Sequence, residues 1–283
     1  MRLVVTPTSG DTGWSRGRLL GILAAAVAVA LLLLAGVGYV TYRALTAAGA
    51  GTGTSPAAPV TAAGEPPTDA PEQAGPGRRA AIAAAPMLRV QASDPREGQI
   101  STEPAPAITV PSPDRTGPRG VATGYPATPQ GALAQLAAID VAVLQAMSIP
   151  VTHQIHEAWT TGPGEPGAWV MTENVQVFLT AAEQSGQTKT DTLSVTAAPA
   201  AGQVKGLDDD DWVLACVLLD VRAGGTEDAR IAYGHCEAMA WAGDRWLIDT
   251  THDVAQAPST WPGTDLAARA GWRTWASTGD PRD

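Results

Sequence analysis

Between Arg18 and Arg43 the chain runs LLGILAAAVAVALLLLAGVGYVTY, Leu19 to Tyr42, with no charged residue. Wound as a helix, these 24 positions measure about 36 Å, enough to cross a hydrocarbon core of roughly 30 Å. A helix that is apolar all round has no polar face to offer water, which argues against a soluble surface helix. Tyr39 and Tyr42 lie near one end, where amphipathic rings favour the membrane interface. The expectation is a transmembrane helix over residues 19–42. A cleavable signal peptide is the competing reading, with the AAGA at Ala47–Ala50 as a place to cut. Its apolar region normally spans only about 7–15 residues, and here a longer run follows a polar leader of 18 residues. No cysteine follows the run, so a lipoprotein anchor is excluded.

Arg2, Arg16 and Arg18 precede the run, and Arg43 alone flanks its other end. The positive-inside bias therefore keeps residues 1–18 in the cytoplasm as a short tail and sends the C-terminal part outside. This makes a single-pass protein of the cell membrane, with an extracytoplasmic C-terminal domain. From about Thr46 to Gly120, Ala, Gly, Pro and Thr dominate, and such a stretch buries too little apolar surface to offset chain entropy. Residues 43–120 accordingly read as a disordered Pro/Ala-rich linker, extended by its prolines and loosened by its glycines. Within it, MLRVQAS at Met87–Ser93 has the alternation of a transient strand.

Eight of the nine tryptophans fall between Trp159 and Trp275, so residues 121–277 are expected to hold the folded domain, with 278–283 a tail. Residues 115–283 carry ten bases and twenty acids, a balance that repels phosphate backbones and argues against direct nucleic-acid binding by this domain. Only two of the basic residues are lysines; with the surplus of Ala, Gly and Pro, this composition fits a GC-rich, actinobacterial source.

In TPQGALAQLAAIDVAVLQAM, Thr128 is placed to cap, Pro129 suits the first turn, and Leu133, Leu136, Ile139, Val143 and Leu144 recur at helical spacing. Pro150 is expected to end that helix, a second to run Val151–Trp159, and a third Ala168–Gln184, whose Val-rich middle also allows a strand. After Gly186 the period shortens. TLSVTAA, WVLACVLLDVRA, RIAYGHCEAMAW and RWLIDT read as strands, separated by the turns AAPAAG, LDDDD, AGGTED and AGD. Thr264–Ala276 is expected as a closing helix. Helices first and an antiparallel meander afterwards make the fold class α+β.

Two registers follow from the turns. A two-residue loop at Gly243-Asp244 sets Ala242 opposite Arg245 and Trp241 opposite Trp246. The AGGTED turn, centred on Thr226, sets Cys216 opposite Cys236. In an oxidising compartment these two cysteines read as a structural cross-strand disulfide; a pair of buried free thiols is the alternative, and a nucleophilic Cys236 the weakest. His235 lies beside Cys236 in sequence but on the opposite strand face. His153 and His156 are able to share a helix face, yet neither Glu157, His235 nor His252 completes a recognised zinc spacing. Asp208–Asp211 lacks the spaced ligands and glycine of a calcium loop and reads as a solvated turn. No serine elbow, phosphate loop or dinucleotide fingerprint occurs, so no catalytic, metal or cofactor residue is assigned.

The single anchor, the Pro/Ala-rich tether and a helix-then-meander domain ending in WAGDRWLI resemble a nuclear-transport-factor-2-like (cystatin-like) cone. TGYPATPQGALAQLAA, ACVLLDV, YGHCEAMAW and PSTWPGTDLAARAGW also resemble membrane proteins of actinobacterial integrative and conjugative elements. Similar architecture occurs in the single-pass scaffold subunits of conjugation and type IV secretion channels. The resemblance implies helices packed on an antiparallel sheet, no enzymatic activity and no cofactor. Its implied partners are the membrane, other envelope or transfer-channel proteins, and further copies of the chain. The expected function is a non-enzymatic assembly component of a conjugative DNA-transfer or secretion apparatus. Two alternatives stand beside it: an accessory to a lipid-import complex, and a small-molecule-binding or catalytic cone with Trp159, Trp169 or Tyr233 lining its pocket.

Overall fold

The structure, a computed structural model, describes residues 75–225 and 228–278, which lie within the unit formed by residues 69–283. The expected cytoplasmic tail and the apolar run Leu19–Tyr42 fall outside the described residues. Among the described residues no helix is long and apolar enough to cross a membrane. In chain order the elements are α1 (Pro76–Ala84), β1 (Ala107–Val110), β2 (Arg115–Thr116), β3 (Ala122–Thr123), α2 (Pro129–Ala146), α3 (Ile149–Trp159), β4 (Thr160–Thr161) and α4 (Val170–Ala181). There follow β5 (Ser194–Asp208), β6 (Trp212–Gly224), β7 (Ala229–Trp241), β8 (Trp246–Asp249), α5 (Asp265–Arg269) and β9 (Arg273–Ser277). This is an α+β arrangement with a mixed, mostly antiparallel sheet.

The sheet order is β1-β9-β5-β6-β7-β8-β4, with β2 and β3 forming a separate ribbon. The outer pairs β1–β9 and β4–β8 are parallel and the central strands antiparallel. Strand β6 reads as an unbroken apolar run, Trp212 to Leu219, because both faces of the sheet are covered. Its odd positions, Val213, Ala215, Val217 and Leu219, join the core beneath α2 to α4. Cys216 and Leu218 face the other way, onto Trp261, Ala267 and Trp272 of the C-terminal segment.

Helix α2 begins as its sequence requires, the Thr128 hydroxyl accepting the Gly131 N–H at 3.1 Å. It lies so close over β5 that a Cβ on Gly202 would stand 2.7 Å from Leu133 Cδ2. Four buried indoles anchor irregular or distant chain: Trp159 Nε1 donates to Pro118 O, Trp246 to Pro126 O, Trp272 to Pro258 O and Trp212 to the Asp249 carboxylate. Each thereby buries a large ring without orphaning its one donor.

Several expectations need correction. The linker does not extend to residue 120: α1 and β1 belong to the folded unit, and Ile108 and Val110 are core residues beside β9. Met87–Ser93 is not a strand, although Met87 packs beneath the cysteines. Pro150 does not stop a helix but sits in the first turn of α3, where its missing N–H costs nothing; α2 ends earlier, at Met147 in the left-handed region. AAPAAG is not a turn, since β5 runs through it with a bulge between Pro199 and Ala201 that accommodates the proline. The closing helix is short, because Gly271 at φ +88° reverses the chain and sends Arg273–Ser277 back as β9.

Candidate functional site

Strand β8 pairs with β7 only at Met239, Ala240 and Trp241. The rest of that edge of β7 is met by irregular chain: the Ala232 N–H donates to Pro95 O at 2.8 Å and the Gly234 N–H to Ser259 Oγ at 2.9 Å. Where β8 gives out, a cleft of about 530 Å³ opens between β7, the loop leading into α4 and residues 250–259. Alternation along β7 turns Tyr233, His235 and Glu237 towards the helices and into one wall of this cleft.

Behind that wall stands a buried acid–histidine pair. Asp140, fully buried on α2, places Oδ1 2.9 Å from His235 Nδ1. His235 Nε2 lies 3.2 Å from Glu237 Oε1, a charge contact without hydrogen-bond alignment. Glu237 is fixed from its other side by the Trp169 indole, which donates to Oε1 at 2.8 Å. Tyr233 stacks on the His235 ring at 6.0 Å and takes the Asn174 amide on its hydroxyl at 2.8 Å. His156 packs against Trp169 with ring centroids 5.3 Å apart.

Burial pushes the Asp140 carboxyl up, with His235 opposing. Burial alone would depress His235, but Asp140 with Tyr233 and Glu237 outweighs it and holds the imidazole well above its ordinary value. Burial also raises Tyr233 and lowers His156, which leaves the His156 ring neutral near pH 7. The arrangement is a buried imidazolium–carboxylate pair whose second carboxylate, Glu237, reaches the cleft.

The cysteines meet as their register requires: Cys216 pairs with Cys236 across β6 and β7, and the two form a disulfide with Cα atoms 4.0 Å apart. Trp241 faces Trp246, their rings edge-on at 5.3 Å, and the Ala242 N–H donates to Arg245 O. Trp169 and Tyr233 do line the cleft, whereas Trp159 is sealed in the core. His156, His235 and His252 line the same cleft and His153 does not, yet among the described residues no three His, Cys, Asp or Glu side chains are grouped as a metal site. The aspartate run is only partly a solvated turn. Asp208 is buried, accepting Arg79 Nε at 2.6 Å and the Gly75 N–H, with Arg78 Nε 3.7 Å away.

Asp140, Glu237 and Asn174 were not expected at a site. Asp140 did carry a signal: a lone carboxylate inside LAAIDVAVL has to find a partner if that helix face is buried. No family model matches the chain, and neither a curated protein nor a solved structure is significantly similar to it.

Proposed function

We propose that this chain is a non-enzymatic, membrane-anchored assembly subunit of a conjugative DNA-transfer or secretion apparatus. In this reading Leu19–Tyr42 spans the membrane, and a nuclear-transport-factor-2-like cone stands outside the cytoplasm on a short tether. One observation carries it. The space between helices and sheet is filled by Leu136, Ile139, Trp159, Met171, Leu179, Met239 and Trp246. The Asp140–His235 pair there is buried, with side chains 0% and 5% exposed. A histidine so enclosed and so paired stabilises the packing of α2 on β7, and offers no nitrogen to a substrate. The acidic charge of the domain fits contact with proteins better than with nucleic acid.

The test is affinity purification of the tagged full-length protein from gently solubilised native membranes, followed by mass spectrometry. Co-purification of a transfer ATPase or channel subunits supports the proposal, and lipid-import proteins in their place would redirect it. Recovery of the protein alone would favour a second reading, a ligand-binding or catalytic domain. That reading is favoured by Glu237, a carboxylate held beside a buried imidazolium at a cleft.

A further inference from the structure

We infer that the groove filled by α1 is an interaction surface for an amphipathic helix of a partner protein, one with an arginine in its first turn and a branched aliphatic side chain three residues later. Helix α1 is the stand-in that keeps this groove covered. The inference stands whether or not the chain belongs to a transfer apparatus. On the sheet face turned away from α2 to α4, Trp212, Leu214 and Ala238 form an apolar cluster of their own, separate from the main core. All three are buried, and the partly buried side chains packed on them are Ile82 of α1, Ala240 and Val254. A Cβ on Gly206 would stand 2.5 Å from Ile82 Cγ2, so this glycine makes the room in which that side chain lies.

The groove selects a helix by its charges as well as by its apolar floor. At one end Asp208, its side chain 1% exposed, accepts the Gly75 N–H at 3.2 Å and Arg79 Nε at 2.6 Å. Asp211 takes the same guanidinium at 3.0 Å, and the Trp212 ring lies 5.7 Å from it. At the other end the Lys205 ammonium donates to Ala83 O and Ala85 O. Three strand steps, about 10 Å, separate Lys205 from Asp208. A helix of nine residues, the length of α1, measures about 13 Å and so fits between these two charges. An acid at its N-terminal end and a cation at its C-terminal end also match its dipole. An empty groove would leave Asp208 a buried carboxylate without its cation, so the groove calls for a helix that brings an arginine. Helix α1 meets that call with little else: Ala83 is its one buried residue, and the polar contacts at its two ends are ones that a competing helix makes equally well.

The test uses the full-length protein in detergent and a fluorescent peptide with the sequence GPGRRAAIAAAP, residues 75–86, read by anisotropy. Arg79→Ala loosens the resident helix and leaves the groove intact, so the peptide should bind it about tenfold or more tighter than it binds the wild type. Adding Asp208→Asn to that variant should abolish binding, as should citrulline in place of the arginine at position 79 of the peptide. Should Arg79→Ala misfold, Ile82→Ala loosens α1 from its apolar side, with an expected gain of about threefold. Saturable binding with this dependence on α1 and on Asp208 supports the groove as a helix receptor. No saturable binding in either loosened variant, binding no tighter than in the wild type, or binding that survives Asp208→Asn overturns it. Self-association of the wild type in sedimentation, abolished by Asp208→Asn, would identify the occupant as α1 of a second copy and overturn a separate partner.

Discussion

At the scale of single residues, the Asp140–His235 contact is the interaction most exposed to test. Asp140→Asn leaves a buried imidazolium facing only Glu237, and removing one partner of a buried pair typically costs about 3–5 kcal/mol. The double replacement Asp140→Leu/His235→Leu recovers much of that loss by substituting packing for the pair. Urea unfolding of the three variants measures the difference, and a double variant no more stable than Asp140→Asn would refute the account. The pH dependence has a definite sign. A histidine raised on folding contributes stability fully below its unfolded value of about 6.5, and the contribution is lost as pH rises through the raised folded value. Melting temperature should therefore fall towards alkaline pH in the wild type, and less so in His235→Gln. The lone carboxylate in an apolar helix was legible in the sequence as a demand for a partner. Which partner was not legible, since residues 140 and 235 meet only through the packing of α2 across β6 and β7.

Among elements, short-range chemistry was readable and long-range chemistry was not. The turns at Gly243-Asp244 and around Thr226 carried the registers of both hairpins, because loop length sets strand pairing directly. Gly243 sits at φ +90° with open space where a Cβ would go, so Gly243→Ala should cost only the conformational term, about 1 kcal/mol. Replacing Cys216 and Cys236 together by serine removes the staple of the longer hairpin and should cost about 2–5 kcal/mol, read as a fall in melting temperature. AAPAAG misled because a proline at a bulge looks locally like a turn, and pairing with β6 decides the matter. Helix α1 was hidden altogether, since its anchors lie far along the chain. Asp208 takes Arg79 and the Gly75 N–H at its start, while the Lys205 ammonium donates to Ala83 O and Ala85 O at its end. The Arg79 hydrogen bond holds the Asp208 carboxyl below its ordinary range, so the latch persists above about pH 4 and is lost as pH falls through that lowered value. Asp208→Asn should speed tryptic cleavage after Arg78 and Arg79 about tenfold without changing global stability comparably; an unchanged rate would remove Asp208 from the latch.

For the whole molecule, the consequence is where the folded unit begins. Composition placed its start at residue 121, because Ala, Pro and Gly look alike in a tether and in an extended covering layer. The structure shows why the layer is ordered: the sheet has two apolar faces, and α2 to α4 cover only one. Met87, Val254, Trp261 and Trp272 pack against the other, around Cys216, Leu218 and Cys236. Strand β1 then extends the sheet beyond β9 with Ile108 and Val110 buried. The boundary is testable through stability. A fragment starting at residue 121 loses two core side chains worth roughly 1.5–3 kcal/mol each, together with the Met87 cover over the disulfide. It should unfold at markedly lower urea than a fragment starting at residue 69, whose stability should match the full-length protein. Equal midpoints for the two fragments would remove residues 75–120 from the cooperative folded unit.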